Sequence, residues 1–593
     1  MTQSSTAPAD HELVAGLTAL RAALAEMRLP LEVAGAAAAR VETARLVAHL
    51  DDYLLPRVRQ MGAPLLAVVG GSTGAGKSTL VSSLVGAVVS PAGVLRPTTR
   101  SPVLVHHPDD LAWFASDRIL PGLPRWTGEG GEGGLRLVAH PAVPRGLALL
   151  DAPDIDSVVT ANRELGAQLL GAADLWVFVT TAARYADAVP WDLLAEAAAR
   201  QAAVGVVLDR LEPHEREAVT ADLGRMLTER GLAGARLLTV PEAALRDGLL
   251  PPDAIAGVRD WLHRVADDAD AREHLVRATV RGAVADLVAR APHLAAAADD
   301  QVTHAEWLAG AVDDAYANAS RTVADATSDG TMLRGEVLAR WQEFIGTGEL
   351  LRAVEAKVSS WRDRLTAALR GRPAPEPVAA AIGASLVDVV ADAADRAAEQ
   401  AWTTWHADPA GARLLDGLRL SRSSPDLRDR VAEEVRGWQT SVLELVSSEG
   451  ADRRVTARVL SFGVNGLGAA LMIVIFAHSG GLTGAEVGVA GGTAVLAQRL
   501  LEAIFGDDAV RRLTRVAQAD LQARVERVLA DEATRAATPL AALDVTSAGP
   551  QIRAALARIG VPEAPPAPAV PEVETEPEPE TGGLRAWWRR LWS

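Results

Sequence analysis

The chain has 593 residues, which is enough for several domains, and its many alanines and few aromatic residues (4%) favour long helices around one α/β unit. A formal net charge of −17 argues against a general nucleic-acid binder, because contacts to a phosphate backbone need clustered Lys and Arg. The sequence has no cysteine, so disulfides and thiolate metal sites are excluded, which fits a reducing cytosol.

Two helical patterns rich in alanine and leucine occupy the N-terminal region, about Glu12–Met27 and Ala34–Arg59. Their apolar residues recur three and four positions apart. The polar residues before them, Met1–His11, predict no secretory signal. Because two helices alone are too short to form a domain, we expect residues 1–60 to pack on helices from the bundle described below.

The most informative segment reads GSTGAGKS at positions 71–78, between the apolar run Leu65–Val69 and the helical pattern Thr79–Val85. This is G-x-x-x-x-G-K-S after a buried strand and before a helix, the context in which backbone N–H groups cradle phosphate. The Lys77 side chain can reach the terminal phosphates, and the Ser78 hydroxyl can bind Mg²⁺. The predicted phosphate-binding residues are Gly71, Thr73, Gly74, Ala75, Gly76, Lys77, Ser78 and Thr79.

Two further features fit a nucleotide site that contains Mg²⁺. The apolar run Leu147–Leu150 ends at Asp151, and we predict that this carboxylate positions the metal. The segment RPTTR at positions 96–100 follows the first helix, where a threonine can close over Mg²⁺ and the terminal phosphate. Thr98 and Thr99 are both candidates for this switch residue, with Thr99 preferred as a metal ligand, and a solvated turn is the alternative.

Apolar runs alternate with helical patterns from Met61 to Ala266. The buried parallel strands predicted from them are Leu65–Val69, Leu147–Leu150, Leu175–Thr180, Val204–Leu208 and Arg236–Val240. This pattern predicts an α/β P-loop NTPase domain with a doubly wound, mainly parallel sheet over residues 61–266. We expect the glycine-containing segment 122–146 to be mostly loop between two strands.

A base-recognition element is expected after the fourth of these strands. The sequence Asp209-Arg210-Leu211-Glu212 has the right position and polarity. Glu212 could accept hydrogen bonds from the edge of a guanine base, and the stem of Arg210 could cover the base. A plain loop at the end of the strand is the alternative interpretation.

The chain after Asp267 is almost entirely helical in pattern and predicts a large all-α bundle or stalk over residues 267–450. Tryptophans are scattered through it and are expected to anchor its core. They are Trp307, Trp341, Trp361, Trp402, Trp405 and Trp438.

Residues 451–500 contain an apolar hairpin pattern. Val459–Ala477 has no Asp, Glu, Lys or Arg and is long enough to span a bilayer, and a second apolar stretch ends at Gln498. Arginines flank both ends, so both would stay on the cytoplasmic side. We predict membrane contact for this hairpin. Burial in the core of the bundle is the alternative, which Asn465 and Glu486 favour because polar groups are costly in lipid.

The C-terminal part is predicted in three pieces. Residues 501–560 return to the bundle as helices. The Pro/Glu-rich stretch 561–583 is expected to be a disordered linker, and the tryptophans and arginines of 584–593 fit an amphipathic tip at an anionic membrane surface.

The order of these motifs resembles the Era-like and dynamin-like branch of the P-loop GTPases, and the helical region with its apolar hairpin looks like a bacterial dynamin-like protein. The resemblance is specific over about residues 61–245 and architectural beyond them. Asp154 stands where the family's D-x-x-G element has glycine, and Asp209, Arg210 and Glu212 replace the defining residues of N-K-x-D.

The resemblance implies a Mg²⁺-dependent GTPase that couples nucleotide state to membrane association or remodelling. Lys77 and a switch threonine would be catalytic, and Ser78, Thr99 and Asp151 would hold the metal. Such a protein is expected in the cytoplasm at the inner face of the cell membrane, and to associate with itself or with a paralogous GTPase rather than with nucleic acid. The alternatives are a soluble regulatory GTPase with a helical effector domain, and an ATPase or kinase that binds ATP instead of GTP.

Overall fold

A computed structural model describes residues 8–90, 101–128, 134–154, 160–199, 202–328, 336–345, 376–450, 463–477 and 489–560. The described chain divides into two compact units. The first unit draws its residues from Met1–Arg28, Gly35–Asp299 and Ser547–Ser593. The second draws them from Leu29–Ala34 and Asp300–Thr546.

The first unit contains a sheet for which eight strands are described. They are β1 (Leu65–Gly71), β2 (Val103–His106), β3 (Arg125–Trp126), β4 (Leu135–Ala139), β5 (Leu147–Asp151), β6 (Leu175–Thr181), β7 (Ala203–Leu211) and β8 (Arg236–Pro241), in the spatial order β3-β4-β2-β5-β1-β6-β7-β8. β2 is antiparallel to β5, and every other neighbouring pair is parallel.

Helices of the first unit lie before, between and after these strands. They are α1 (Pro8–Glu26), α2 (Ala36–His49), α3 (Leu55–Arg59), α4 (Lys77–Val85), α5 (Leu111–Phe114), α6 (Thr160–Gly171), α7 (Ala188–Ala199), α8 (Arg216–Glu229), α9 (Ala256–Asp267) and the first half of α10 (Ala269–Ser328). A π-helical turn, Leu50–Leu54, joins α2 to α3.

The sheet is buried on both faces, as β1 illustrates. Leu65, Ala67 and Val69 belong to one apolar cluster, whereas Leu66 and Val68 belong to another. Alternate side chains of a strand point to opposite faces, so continuous apolar runs are required when both faces are covered. The predicted fold class, a doubly wound and mainly parallel α/β domain followed by a large helical region, is confirmed.

Segment 122–146, which we expected to be mostly loop, contains β3 and β4. Leu135 and Leu137 are buried and alternate with the more exposed Arg136 and Val138. This alternation is the pattern of a half-covered strand, and β4 pairs with β2 from Arg136 to Ala139. The run is short and follows several glycines, which hides it in the sequence.

The N-terminal helices α1, α2 and α3 belong to the first unit, and the linker Leu29–Ala34 belongs to the second. Gly16 of α1 faces the last helix, α18 (Gly549–Ile559), so closely that a Cβ at this position would lie 2.8 Å from Ile559 Cγ1. The Arg57 guanidinium forms a buried ion pair with Asp174 and donates to the Ala63 carbonyl at 3.1 Å. A buried ion pair of this kind holds α3 against the edge at which β1 and β6 begin.

All the regular secondary structure described in the second unit is helical. Besides the end of α10 it contains α11 (Glu336–Ile345), α12 (Glu376–His406), α13 (Pro409–Leu414), α14 (Leu427–Glu449), α15 (Val464–Ala477), α16 (Val489–Phe505) and α17 (Asp507–Ala541). Of the tryptophans predicted to anchor this core, Trp341, Trp405 and Trp438 are buried. Trp402 is partly buried, Trp307 is 49% exposed, and Trp361 lies outside the described residues.

The first arm of the apolar hairpin is α15, and it lies inside the core of the second unit. Every residue from Gly466 to Phe476 is buried, and the Phe476 ring lies 5.8 Å from that of Trp438. Asn465, at the exposed start of the helix, donates to Glu376 Oε1 at 3.1 Å. Residues 451–462 and 478–488 of the predicted hairpin, and all of 561–593, lie outside the described residues.

Among the described helices, α12 alone is long and apolar enough to cross a membrane, and 39% of its most apolar window is buried. α15 is apolar but has only 14 residues. In this conformation the burial of α15 agrees with the alternative interpretation, in which the stretch is core.

Shortening Ile475 to valine should lower the free energy of unfolding by about 1 kcal/mol, because a buried methyl group is removed. Ile475 is 1% exposed in α15. Val495→Ala on α16 is the control: Val495 is 49% exposed, and its truncation should change the stability by less than about 0.5 kcal/mol. Denaturant unfolding measures both, and equal effects would contradict the burial of α15.

Candidate functional site

The glycine-rich loop between β1 and α4 has a backbone that only glycine permits at two positions. Gly71 has φ +150°, and a Cβ there would lie 2.1 Å from the Val179 carbonyl oxygen. Gly76 has φ +96°, and a Cβ there would lie 2.2 Å from Asp209 Oδ2. Such contacts are impossible for a side chain, so β6 and β7 can approach the loop only because these residues are glycines.

The loop leads directly into α4, which begins at Lys77 after the N-cap Gly76. Gly76 has no side chain with which to cap the first turn of this nine-residue helix. The first N–H groups of a helix have no partner inside it, and they carry partial positive charge. This end of α4 can therefore bind an anion. Thr73, Gly74, Ala75 and Gly76 lie in this loop, Ser78 and Thr79 lie in the first turn of α4, and Gly71 is the last residue of β1.

The Lys77 side chain, which follows the loop, is only 5% exposed. Its Nζ donates to the carbonyls of Gly71 and Ser72, at 3.0 Å each, and to Asp154 Oδ1 at 2.6 Å. These acceptors hold the ammonium group at the mouth of the loop, where the terminal phosphates of a nucleotide would lie.

Ser78 and Asp151 meet at the end of β5. The Ser78 hydroxyl donates to Asp151 Oδ2 at 2.6 Å, and the buried Ser90 hydroxyl donates to the same oxygen at 2.6 Å. Asp151 is fully buried, which raises the pKa of its carboxyl, while the two serine hydroxyls and Lys77 oppose that rise.

The donor set at Asp151 fits a divalent cation. Asp151 Oδ1 is buried, and no described residue forms a hydrogen bond with it. A buried carboxylate oxygen without a partner is costly, and a metal-bound water is a partner that would satisfy it. The Ser78 hydroxyl and the Asp151 carboxylate are the described groups that could hold Mg²⁺.

The predicted base-recognition residues are partly in β7 rather than in a loop after it, because this strand continues to Leu211 past an irregularity in its pairing with β8. Arg210 has φ +57°, and its guanidinium donates to the Gly74 carbonyl. Asp209 lies against Gly76, and Glu212 is exposed. Asp209 and Arg210 are therefore brought to the loop. Glu212 is close to them in sequence, but its side chain is exposed to solvent.

The site also contains residues that sequence reasoning did not assign to it. Arg184, which follows β6, donates to the Thr73 carbonyl at 2.6 Å and to Asp187 at 3.1 Å. Ser90 holds Asp151, and Asp154 holds Lys77. Arg184 and Asp154 follow β6 and β5, strands whose carboxyl ends meet at the loop, and Asp154 also occupies the glycine position of the D-x-x-G element. Ser90 follows α4, and no sequence pattern pointed to it. Thr98 and Thr99 lie outside the described residues.

Asp209 gives the site a pH-dependent stability. Burial raises the pKa of this carboxyl from 3.8 to about 6, although the Arg210 backbone N–H opposes the rise. The ionised form is therefore disfavoured in the folded protein, and stability present at low pH is lost as the pH rises through about 6.

We expect Asp209→Asn to raise the free energy of unfolding by about 3 kcal/mol near pH 7.5, since the pKa is raised by about two units and each unit corresponds to about 1.4 kcal/mol. The gain should shrink as the pH falls below about 6 and should approach zero only below about pH 3, where the carboxyl is protonated in both states. Denaturant titrations of the nucleotide-free protein at several pH values measure this difference. A gain that is the same at all pH values would contradict the burial of an ionised Asp209.

No protein-family model matches the chain, and no curated protein is similar to it in sequence. Among the solved structures that align with it are two of an oligomerised bacterial dynamin pair, described as providing a mechanism for the long-range sensing and tethering of membranes. The first has 10% identity and a TM-score of 0.43 over 94% of this chain and 96% of its own. The second has 10% identity and a TM-score of 0.27 over 55% and 61%.

Proposed function

We propose that this chain is a Mg²⁺-dependent GTPase of bacterial dynamin-like type that couples its nucleotide state to association with a lipid membrane. The observation that carries the enzymatic part is the convergence of Lys77, Ser78 and Asp151 where α4 begins. An ammonium group, a hydroxyl and a buried carboxylate around a helix N-terminus are the groups that bind a nucleoside triphosphate with its metal.

Different residues would bind the phosphates and the metal during phosphoryl transfer to water. The loop N–H groups and Lys77 bind the β- and γ-phosphates and oppose the charge that develops as the terminal bond breaks. Ser78 and Asp151 orient the metal, which when bound neutralises charge on the phosphate oxygens. Thr98 or Thr99 is proposed to complete this shell from the switch segment, with Thr99 as the metal ligand. Catalysis rests on positioning, and self-association or a paralogous GTPase is proposed to complete the site.

GTP is the proposed nucleotide because of the positions of Arg210 and Glu212. The Arg210 guanidinium donates a hydrogen bond to the Gly74 carbonyl, and the Glu212 side chain is exposed to solvent. The aliphatic stem of Arg210 can cover one face of the base, and a free carboxylate at Glu212 can accept from the N–H groups of guanine. Adenine presents no such pair of donors, so the same residues favour ATP less.

Binding of fluorescent GTP and ATP to the purified protein with Mg²⁺ tests this choice, with Lys77→Ala as the blank. A strong preference for GTP that is lost in the variant is the expected result. Equal or tighter binding of ATP would overturn the GTPase assignment and favour an ATPase or a kinase.

The membrane part of the proposal concerns the apolar hairpin, residues 451–500, at the inner face of the cell membrane. Since α15 is buried in the core of the second unit, its contact with lipid requires that it leave this core. We therefore propose that membrane contact depends on the nucleotide, as a conformational switch would require.

Co-flotation with vesicles of phosphatidylglycerol and phosphatidylethanolamine, in GTP, in GDP and without nucleotide, tests this coupling. Binding that differs between nucleotide states is expected. If the protein binds no vesicles in any nucleotide state, it is instead a soluble regulatory GTPase with a helical effector domain. The burial of α15 favours this alternative.

A further inference from the structure

Lys77 uses all three of its N–H donors inside the protein. Two go to the carbonyls of Gly71 and Ser72, and the third goes to the Asp154 carboxylate at 2.6 Å. An ammonium group has three donors and no more. A phosphate oxygen can therefore bind Lys77 only if it takes the place of one of these acceptors.

Asp154 is the acceptor most easily exchanged. Gly71 ends β1 and its carbonyl is fixed by the strand, and Ser72 is fully buried in the loop. Asp154 lies three residues beyond β5, outside any helix or strand, and its side chain is 15% exposed. It is also the only charged one of the three, so it supplies what a phosphate would supply: a negatively charged oxygen against a buried ammonium group.

We propose that the Asp154 carboxylate is an internal substitute for the γ-phosphate, which neutralises Lys77 when the loop is empty and which the triphosphate must displace. This inference rests on the proposed function for the identity of its ligand. A displaced Asp154 stays close to the γ-phosphate, and two like charges at short range repel. Asp154 therefore selects against the terminal phosphate, and it lowers the affinity for a triphosphate more than that for a diphosphate.

The test is the ratio of dissociation constants for di- and triphosphate ligands in Asp154→Asn, measured calorimetrically with Mg²⁺ for GTP and GDP and for inorganic tripolyphosphate and pyrophosphate. We expect triphosphate binding to tighten by about 10-fold and diphosphate binding to change by less than about 3-fold. Asp154→Glu, which keeps the charge, should keep the wild-type ratio, and Asp154→Ala should behave like the asparagine variant.

The matched control is Asp286→Asn. Asp286 belongs to the same unit, is 13% exposed and forms an ion pair with Arg290 at 2.8 Å. The Asp286→Asn variant therefore loses a similar ion pair at a position away from the loop. This variant should bind all four ligands as the wild type does.

The outcomes separate this inference from the function on which it rests. If the wild type binds the triphosphates and the ratio is unchanged in both neutral variants, Asp154 is a structural partner of Lys77 and the inference is overturned alone. Equal weakening of all ligands in a folded variant has the same meaning. If the wild type binds inorganic tripolyphosphate but no nucleotide, the proposed function fails while the ratio still tests Asp154. A wild type that binds no polyphosphate overturns both.

Discussion

Lys77→Ala should weaken the binding of a nucleoside triphosphate by at least about 100-fold, which corresponds to about 3 kcal/mol. Lys77 Nζ is buried at the mouth of the glycine-rich loop and is already hydrogen-bonded to two of its carbonyls. The ammonium group is therefore already desolvated before the nucleotide binds, so binding adds little desolvation cost. Its loss removes a charge-assisted hydrogen bond to phosphate from a poorly hydrated site. Equilibrium binding of fluorescent GTP measures the effect.

Two further variants separate this loss of binding from a loss of folding. The chain contains one other lysine, and Lys357→Ala makes the same chemical change outside the loop. Truncating Lys77 alone leaves Asp154 without its ion-pair partner, so the double variant Lys77→Ala/Asp154→Ala should melt closer to the wild type while still failing to bind. Retained GTP binding in a folded Lys77→Ala protein would contradict a phosphate site at this loop.

The parts of the site that could be predicted are those that local sequence determines. The glycines of the loop, Lys77 and Ser78 lie within eight residues of one another, between a strand and a helix whose patterns are clear. Asp151 could be proposed because it ends an apolar strand, and parallel strands end at one edge of the sheet. In each case the residue can be predicted from a hydrophobic period or a motif spacing along the chain.

The parts that could not be predicted are contacts between distant residues. Arg184 reaches Thr73 across 111 positions, and Asp154 reaches Lys77 across 77. Neither contact leaves a periodic pattern, because it depends on how two loops are placed by strands that are neighbours only in the folded sheet. For the same reason the segment before β5 gave no sign that β4 would pair with β2.

The apolar hairpin shows a different limit of prediction from sequence. A run without charges is equally required by a bilayer and by a protein core, since neither solvates a charge. Only the neighbours of α15, such as Trp438 of α14, decide between the two, and they come from the tertiary structure. The absence of charged residues from Val459 to Ala477 therefore predicts a segment shielded from water, without assigning it to lipid or to protein.

Asp151→Asn should lower the rate of GTP hydrolysis by about 100-fold and remove most of the dependence of binding on Mg²⁺, as expected when an outer-shell carboxylate of a metal is neutralised. The amide can still accept from Ser78 and Ser90, so the geometry at Oδ2 is preserved while the charge is lost. Single-turnover hydrolysis and GTP titrations, each with and without Mg²⁺, measure the two effects.

The same substitution should not destabilise the nucleotide-free protein, and this separates a metal role from a structural one. Burial raises the pKa of Asp151, so the folded state disfavours the ionised carboxylate, and stability is lost as the pH rises through that pKa. Asparagine removes this cost, and the variant should melt at or above the wild-type temperature at neutral pH. Asp110→Asn, at a buried aspartate that accepts from the Gly146 N–H at 2.8 Å, is the control and should hydrolyse GTP normally. Unchanged hydrolysis in a folded Asp151→Asn protein would exclude Asp151 from the metal shell.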